Sequence, residues 1–573
     1  MYSAHMKMHN IHMKDFYEDI PLGKKKIQGR FVIPSGIRCA SASVIEKYFE
    51  IESVGIITTK SISAKPKIGY REPIFVKYGE NSYINAVGLE NPGAEAFRDQ
   101  LSRITIPDNK FLLVSLCGED EAQFYEAASI LYEYADGFEL NFSCPHSKGF
   151  GLQVGNDLDL VAKITKKIAR SFDIPVFAKL SATIPDVAHT AQIAISNGAS
   201  GITAINTVGP SIEYIAEMPV LFNREGGMSG AAIRPMGLKA VMDIRQAIGT
   251  EPIIIGLGGI YNKNDVDSYN MAGADFFAIG SALTNQNTEK TKEFLNTMRW
   301  DLIRNRFEET YTLTPVNNMD YRRCEIEEKI CLKENLYKIK LSKWRGYEKC
   351  SDTAGKFYFI MLGEMGEKPF SLFSYSNREF IVKRVGPFTT ELTKMKVGDA
   401  VFIRGPYGNG IEEYEGKTIN LVAGGTGISP TYEIAKKYVS KNRIRFFFGG
   451  KDEKDLFCQD LYKEMGEVVV ATEDGSMGVT GFVSDAMKEY TFEDEEKNIF
   501  INVGPRPMID SVYEIEKKIT TNENIWVCIE YRTCCGVGIC GKCATEQGSL
   551  SCVDGPFLRI EDAIINRSHC SSH

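Results

Sequence analysis

The chain has 573 residues, which is too many for one hydrophobic core and predicts about three or four domains. Its residues are 43% hydrophobic and 25% charged, so neither a disordered nor a fibrous protein is expected. The formal net charge of -8 argues against broad binding to nucleic acid or anionic lipid. No apolar run approaches the roughly 18 residues of a membrane span, and the first residues contain no apolar signal core, so we expect a cytoplasmic protein without membrane contact.

The first half alternates short segments rich in valine and isoleucine with helix-like segments. Buried parallel strands are predicted at Gly55–Lys60, Phe111–Cys117, Gly137–Asn141, Pro175–Leu180, Gly201–Asn206, Pro252–Gly256 and Asp275–Ile279. Helices are predicted between them, for example at Ala122–Ala135, Leu158–Ser171, Asp186–Asn197 and Pro235–Ile248. Repeated strand–helix units predict a (β/α)8 barrel, with a doubly wound sheet as the alternative. Reactive groups are then expected just after the strand ends.

Beyond about residue 311 the pattern changes to strands separated by turns. A small β-barrel beginning near Cys324 is predicted from the segments Tyr337–Lys343, Lys356–Met361 and Glu379–Val385. A βαβ-like segment follows from Lys417 to about Glu523, and a cysteine-rich tail ends the sequence. We therefore expect an α/β protein with four domains, at residues 1–312, 320–415, 416–525 and 526–573.

The tail concentrates its cysteines in a way that suggests a metal site. A C-x4-C-x2-C-x8-C pattern is formed by Cys535, Cys540, Cys543 and Cys552. Its first part has the spacing of plant-type 2Fe-2S sites, where glycines let a loop wrap the cluster. In a reducing compartment such clustering favours metal over disulfides, and structural zinc usually needs two C-x2-C-like pairs where only one occurs here. The pattern predicts a 2Fe-2S cluster held by these four cysteines.

Three motifs that contain glycine precede the tail. They are GPYGNG at residues 405–410, VAGGTGISP at residues 422–430 and VGPRPM at residues 503–508. A glycine-rich turn after a strand can bring backbone N–H groups and the next helix N-terminus against a pyrophosphate. Together with the cysteine pattern, these residues resemble the ferredoxin-reductase superfamily, and specifically the electron-transfer subunit of the NAD-dependent dihydroorotate dehydrogenases. The resemblance implies a ferredoxin-reductase-like FAD-binding β-barrel, an α/β NAD-binding domain and a C-terminal 2Fe-2S domain, in this order.

The same resemblance implies specific cofactor contacts. The Arg-Pro-x-Ser flavin motif of the family is matched by Lys368, Pro369, Phe370 and Ser371, with a lysine point charge in place of the planar arginine fork. Its glycine turn is matched by Gly424, Gly425 and Gly427. The acidic Glu473 and Asp474 would disfavour a 2'-phosphate, so NAD is expected rather than NADP.

Amide, lysine and cysteine side chains occur near the predicted strand ends of the first half. They belong to Thr59–Ser61, Asn85–Gly93, Asn141–His146, Phe177–Leu180 and Ile205–Thr207. Amides make paired contacts to a cyclic imide, and lysines can stabilise negative charge on a reduced flavin. A cysteine beside a flavin can carry a proton, although an isolated buried cysteine is more often a small hydrophobe.

Residues from about Gly29 to Ala282 resemble the class 1 dihydroorotate dehydrogenases and the pyrimidine-reducing domain of dihydropyrimidine dehydrogenase. The resemblance implies that Cys144 is the catalytic acid/base and that the catalytic lysines Lys60 and Lys179 contact FMN. It implies that the polar edge of the substrate contacts Asn85, Asn141, Asn206 and Thr207. It implies that the FMN phosphate contacts turns containing Gly230, Gly258, Gly259, Gly280 and Ser281.

The implied activity is oxidation of dihydroorotate to orotate in pyrimidine biosynthesis, with electrons passing from FMN through the 2Fe-2S cluster and FAD to NAD. Cys144 would remove the C5 proton while C6 delivers a hydride to FMN. His146 stands where the NAD-dependent enzymes usually have asparagine and resembles the dihydropyrimidine dehydrogenase pattern. Reduction of uracil or thymine by a nicotinamide is therefore an alternative, although that class carries additional 4Fe-4S motifs. A non-catalytic redox partner is a second alternative, and a homodimer through the barrel is a further expectation.

Overall fold

The computed structural model describes residues 19–143, 152–304, 318–344, 353–492 and 497–563. The chain divides into two compact units. Unit 1 comprises Met1–Val316 and Val537–Gly541, and unit 2 comprises Asn317–Gly536 and Lys542–His573. Within the described ranges, no helix has both the length and the apolar character needed to cross a membrane.

Unit 1 contains a closed barrel of eight parallel strands. Val54–Thr58 and Phe111–Leu116 are buried at every position, because helices cover the outside of such a barrel and side chains fill its inside. The (β/α)8 barrel prediction is confirmed, and the doubly wound alternative is wrong. In chain order the barrel strands are Phe31–Ile33, Val54–Thr58, Phe111–Leu116, Gly137–Asn141, Val176–Leu180, Gly201–Ala204, Ile253–Leu257 and Phe276–Ala278.

Helices follow the barrel strands in the expected alternation. Leu158–Ser171, for example, begins where the Asp157 side chain accepts a hydrogen bond from the backbone N–H of Leu160, and its buried residues recur at helical spacing. The main helices of the unit are Ala42–Phe49, Ala94–Leu101, Glu121–Leu131, Leu158–Ser171, Val187–Ser196, Arg234–Ile248, Lys263–Ala272 and Thr288–Ile303, with a short helix at Leu152–Gly155. Short 3-10 segments occur at Tyr132–Tyr134, Ala231–Ile233 and Ser281–Leu283.

Additional strands decorate the barrel of unit 1. A hairpin of Ile20–Leu22 and Lys25–Ile27 packs Leu22 and Ile27 into the same apolar cluster as Phe111 and Phe177. A four-stranded antiparallel sheet has the order Val208–Ser211, Gly226–Gly230, Ser82–Asn85 and Phe75–Gly79. A two-residue hairpin pairs Tyr214–Ile215 with Met218–Pro219. The four-stranded sheet supplies residues to the cavity described below.

Unit 2 begins with a closed six-stranded antiparallel barrel, as predicted. Its core includes Ile326, Ile339, Tyr358, Phe380 and Ile403. In chain order the strands are Arg322–Lys333, Leu336–Leu341, Phe357–Met361, Glu367–Ser374, Glu379–Lys383 and Ala400–Tyr407. The helix Pro387–Lys394 and the 3-10 segment Gly363–Met365 lie between them in sequence.

A seven-stranded sheet completes unit 2. Its spatial order is Val479–Thr480, Glu467–Thr472, Arg443–Gly450, Thr418–Gly424, Asn498–Val503, Ile525–Cys528 and Leu558–Arg559, and only the last pair is antiparallel. The last two strands come from the cysteine-rich tail, so both ends of the cysteine segment are joined to this sheet. The helices are Ile428–Tyr438, Gln459–Lys463, Val483–Glu489, Arg506–Glu516 and Ile560–Ala563, with 3-10 segments at Gly425–Gly427, Glu453–Asp455 and Asn522–Asn524.

A buried polar pair connects a strand of this sheet to the helix Arg506–Glu516. The amide of Asn502 donates a hydrogen bond of 3.0 Å to the carboxyl of Glu516, whose side chain is fully buried at the end of the helix Arg506–Glu516. Among the described residues, neither the other Glu516 oxygen nor the Asn502 carbonyl oxygen has a hydrogen-bond partner. Burial raises the pKa of Glu516 from 4.5 to about 8, against the smaller opposite effect of the Asn502 hydrogen bond. Glu516 is therefore neutral over most of the acid and neutral pH range.

Candidate active site

A cavity in unit 1 lies at the carboxyl ends of the barrel strands. Its wall includes residues that end or directly follow five of the eight strands, and the decorating sheet adds Asn85 and Gly230. Every predicted site residue of the barrel half within the described ranges lines this cavity: Lys60, Asn85, Asn141, Lys179, Asn206, Thr207, Gly230, Gly258, Gly259, Gly280 and Ser281. Cys144 and His146 lie outside the described residues.

A buried ion pair stands at one wall of the cavity. The Lys179 ammonium lies 3.5 Å from a carboxylate oxygen of Glu139, and these side chains are 3% and 1% exposed. Among the described residues, neither oxygen of Glu139 has a hydrogen-bond partner. A buried carboxylate is costly unless a positive charge balances it, so Lys179 is the group that compensates Glu139. The ammonium keeps unused donor capacity for an acceptor in the cavity.

Two predicted substrate-binding amides are connected through one hydroxyl. Ser143 donates from its hydroxyl to the Asn141 side-chain oxygen at 2.9 Å and accepts from the Asn206 side-chain nitrogen at 2.9 Å. Asn141 donates from its other end to the Ser61 hydroxyl at 2.9 Å. The Asn206 oxygen accepts from the backbone N–H of Thr207 at 2.9 Å. These bonds fix both amide planes before any ligand arrives.

Asn85 enters the cavity from the decorating sheet. It ends the strand Ser82–Asn85 and lies opposite Gly227 in the antiparallel register. Its side-chain nitrogen donates to the Gly227 carbonyl at 3.3 Å. Three predicted substrate contacts therefore come from three different elements of unit 1.

Two glycine-containing turns meet at another wall of the cavity. Gly230 has a φ of +93°, and a Cβ there would lie 2.1 Å from the Asn81 carbonyl oxygen. Gly259 has a φ of +69°, and a Cβ there would lie 2.8 Å from the Gly230 carbonyl oxygen. Both positions require glycine, since a side chain would collide with backbone. Gly258, Gly280 and Ser281 complete this backbone-rich wall.

Cys39 lies close to the cavity residues Gly36 and Lys60, and its surroundings favour a structural role. It is 1% exposed, and its sulfur accepts from the backbone N–H of Gly36 at 3.0 Å. Burial raises the pKa of the Cys39 thiol to about 11, with Lys60 opposing part of the rise. This thiol stays protonated in the neutral range and is a poor base.

In unit 2, the predicted glycine turn joins a central strand to a helix. Gly425–Gly427 connects Thr418–Gly424 to Ile428–Tyr438, and the sheet order reverses beside this strand. Gly425 has a φ of +57° with nothing within 4 Å of a built Cβ, whereas a Cβ at Gly427 would lie 2.3 Å from the Val503 carbonyl oxygen. The turn thus leaves open space at the helix N-terminus, as binding of a pyrophosphate requires.

The predicted flavin motif lies on a strand of the six-stranded barrel. Lys368 to Ser371 belong to Glu367–Ser374, paired in register with Phe357–Met361. Lys368 is exposed, and Pro369, Phe370 and Ser371 are half-buried. The segment therefore presents polar and aromatic groups at the barrel surface.

The four predicted cluster cysteines are all buried. The Cys552 thiol is hydrogen-bonded with the thiols of Cys535 and Cys543, and these contacts with burial raise the Cys552 pKa well above its usual value. Among the described residues, no group of three or more His, Cys, Asp or Glu side chains is arranged for a single metal ion. A 2Fe-2S cluster distributes two thiolates to each of two irons, so its ligands need not surround one point. The burial and the thiol contacts fit a cluster of that kind.

Comparison with known proteins agrees with this geometry. Residues 21–299 match the family model for dihydroorotate dehydrogenase, and residues 421–514 match the model for an oxidoreductase NAD-binding domain. The catalytic subunit of dihydroorotate dehydrogenase B (NAD(+)) from Methanocaldococcus jannaschii is 37% identical over 256 residues, which are 44% of this chain and 82% of that protein. The chain belongs to the dihydroorotate dehydrogenase family. The corresponding subunit from Thermoplasma acidophilum is 42% identical over 40% of this chain and 74% of that protein.

One solved structure, of an NADH-dependent reduced ferredoxin-NADP oxidoreductase, is 28% identical with a TM-score of 0.38, covering 42% of this chain and 89% of that chain. The dihydroorotate dehydrogenase family match contains all eight barrel strands and every residue that lines the cavity except Ile539 and Cys540.

Three residues beside the cavity of this dihydroorotate dehydrogenase family member were not predicted from the sequence. Ser61 and Ser143 lie within the motifs that supplied Lys60 and Asn141, but no role was assigned to their hydroxyls. Glu139 precedes Asn141 by two positions on a strand, so the alternation of side chains places both on the same face. The two-residue alternation along the strand was therefore the sequence signal that could have identified Glu139. The hydroxyl bridge of Ser143 depends on Asn206, which is 63 residues away, and had no local signal.

Proposed function

We propose that the protein oxidises dihydroorotate to orotate in pyrimidine biosynthesis, using FMN in the barrel cavity and passing electrons through a 2Fe-2S cluster and FAD to NAD. One observation carries the proposal: the cavity collects two lysines, three asparagines and two glycine turns at the carboxyl ends of the barrel strands. The relatives of this half are named as catalytic subunits of dihydroorotate dehydrogenase B (NAD(+)).

The residues of the cavity fit FMN. The wall formed by Gly230 and Gly259 has no room for side chains, so backbone N–H groups can approach a phosphate there. Lys60 and Lys179 would supply positive charge to a bound flavin, and Gly258, Gly280 and Ser281 would help to hold its phosphate. When bound, FMN supplies a hydride acceptor for the substrate.

The amides orient the substrate ring. Asn141 and Asn206 are held by Ser143, so their free donor and acceptor positions are directed before binding, and Asn85 and Thr207 add further contacts. Cys144 directly follows Ser143 in sequence and serves as the base that takes the C5 proton. Lys60 meets the C6 carboxylate, because a carboxylate without a partner is costly to desolvate.

The second half of the chain would supply the remaining carriers. Cys535, Cys540, Cys543 and Cys552 would hold the 2Fe-2S cluster, which transfers single electrons when bound. Lys368, Pro369, Phe370 and Ser371 would contact FAD. Gly424, Gly425 and Gly427 would receive the NAD pyrophosphate at the N-terminus of Ile428–Tyr438.

Anaerobic mixing tests the substrate assignment. Purified, cofactor-loaded protein is mixed with dihydroorotate or dihydrouracil while flavin absorbance is followed, and steady-state turnover is then measured with NAD. We expect dihydroorotate to bleach the flavin far faster than dihydrouracil, because only dihydroorotate carries the carboxylate that Lys60 meets. Faster bleaching by dihydrouracil would overturn the assignment and favour the uracil-type activity. Absence of bleaching by either compound would favour a redox partner without its own substrate.

The cytoplasmic location and a homodimer through the barrel are part of the same proposal. Sedimentation equilibrium of the cofactor-loaded protein tests the second, because a dimer has twice the mass of the 64.0 kDa chain. A single species with the mass of one chain would contradict it.

A further inference from the structure

A buried ion pair in unit 2 crosses one strand of the six-stranded barrel. Arg404 on Ala400–Tyr407 and Glu367 on Glu367–Ser374 are each 1% exposed. The guanidinium extends over the Phe359 ring of the intervening strand, 4.0 Å from its centroid. It donates to both Glu367 oxygens, at 2.8 Å from Nε and at 2.5 Å from Nη2. This is the two-point geometry that makes such pairs strong and specific in direction.

The remaining guanidinium nitrogen reaches the first predicted cluster ligand. Arg404 Nη1 donates to the Tyr407 hydroxyl at 2.6 Å and to the main-chain carbonyl of Cys535 at 3.1 Å. Tyr321 donates from its hydroxyl to Glu367 at 2.7 Å, so the carboxylate is held from a second side. Burial alone would lower the pKa of Arg404, but the Glu367 carboxylate outweighs this effect and the pKa lies well above its usual value.

Gly536, which follows Cys535, packs against the rings of Phe359 and Tyr407. Gly536 has a φ of +79°, and a Cβ there would lie 2.8 Å from a ring carbon of Phe359 and 3.3 Å from the Tyr407 ring. Arg404, Phe359 and Tyr407 therefore contact the main chain of two successive residues, Cys535 and Gly536. The start of the cysteine loop is fixed by the barrel rather than by its own sequence alone.

Stability alone is a weak reason for such a pair. Burying two charges costs several kcal/mol each in desolvation, and well-packed apolar residues often stabilise a core as well as an ion pair does. A function beyond stability is therefore expected for a buried pair that holds a ligand segment.

We propose that Arg404 and Glu367 are positioning residues for the 2Fe-2S cluster, which fix the Cys535 main chain and set the electrostatic potential at the cluster with two balancing charges. The inference rests on the proposed cluster at the four cysteines. Reduction adds one negative charge to the cluster. The guanidinium therefore favours the reduced form, whereas the Glu367 carboxylate favours the oxidised form. Removal of one partner leaves the other unbalanced, so the two single substitutions have opposite effects.

The test is a reductive titration of the full-length, cofactor-loaded protein with dithionite and mediators, followed by the electron paramagnetic resonance signal of the reduced cluster. We expect Arg404→Met to lower the midpoint potential and Glu367→Gln to raise it. The double variant Arg404→Met/Glu367→Gln should return towards the wild-type value. Arg323→Gln removes a 58% exposed arginine from the same barrel and should leave the potential unchanged.

The titration distinguishes failure of the proposed cluster from failure of the roles proposed for Arg404 and Glu367. A wild-type protein without iron and without the resonance signal would refute the proposed cluster itself. A wild-type signal with shifts of the same sign in both single variants, or with no shift in either, would refute the positioning roles and leave the cluster standing. If Arg404→Met does not fold, Glu367→Gln decides alone: a lowered or unchanged potential overturns the proposal.

Discussion

Replacement of Glu516 by glutamine should stabilise unit 2 at alkaline pH and leave its stability near pH 4 almost unchanged. Because burial raises the Glu516 pKa from 4.5 to about 8, the folded protein keeps a proton over a pH range where the unfolded chain has lost it. The wild-type free energy of unfolding therefore falls as the pH rises from about 4.5 to about 8, and it is level at higher pH. Glutamine has no such proton, so the variant avoids this loss.

The magnitude follows from the difference between the two pKa values. Each pKa unit corresponds to about 1.4 kcal/mol, and the difference between about 8 and 4.5 is about 3.5 units. The free energy of unfolding of the variant should exceed that of the wild type by about 4 kcal/mol near pH 7.5 and by about 5 kcal/mol above pH 8. This is a large fraction of the roughly 5–15 kcal/mol that stabilises a typical domain.

Scanning calorimetry of the full-length, cofactor-loaded protein at several pH values measures the effect, with the fluorescence released from the proposed FAD marking the transition of unit 2. Glu514→Gln on the same helix, whose carboxylate is 63% exposed, is the control for losing a surface charge. If the difference in the free energy of unfolding between Glu516→Gln and the wild type stays constant with pH, the pKa of Glu516 is not raised.

Four other substitutions test the barrel site and the proposed cluster. Ser143→Ala removes the hydroxyl between two amides, so kcat/KM for dihydroorotate should fall about 10- to 30-fold in steady-state assays at about 1 kcal/mol per lost hydrogen bond, and an unchanged value would contradict the bridging role. Cys144→Ala should retain FMN absorbance but form no orotate, whereas near-normal turnover across pH would eliminate it as the base. The Cys540→Ser variant should contain less iron and should not reduce NAD, although dihydroorotate should still bleach its FMN. Wild-type iron content together with NAD reduction would contradict the role of Cys540 as a ligand. Glu139→Gln removes the charge that balances Lys179, so spectroelectrochemical titration should give a more positive FMN potential; a more negative one would argue against this electrostatic effect.

The sequence predicted the regular parts of both units well. The strand Gly137–Asn141 and the helix Leu158–Ser171 have the predicted bounds, because buried parallel strands and amphipathic helices leave strong local patterns. The barrel strand Phe31–Ile33 was missed, since three residues are too few to show a period. The strand Gly201–Ala204 ends two residues earlier than predicted, where the chain turns into the cavity.

Long-range features had no comparable signal. The strand Gly226–Gly230 contains three glycines and has little intrinsic preference for a strand, so its pairing with Ser82–Asn85 makes it one. Arg404 looks like a surface residue in sequence, because the carboxylate that allows its burial lies 37 positions earlier. Site residues close to strand ends could be predicted, whereas the groups that hold them in place depend on the folded chain.

The antiparallel pairing of Leu558–Arg559 with Trp526 and Val527 closes the edge of the seven-stranded sheet. Arg559 also stacks over the Trp526 ring, at 4.0 Å from its centroid. A chain shortened before Leu558 would leave Ile525–Cys528 as an open sheet edge, which invites pairing between molecules. The cysteine segment therefore cannot be exchanged between proteins without the strand Leu558–Arg559. A chimera that lacks this strand needs another edge strand to pair with Ile525–Cys528. Otherwise it will tend to aggregate.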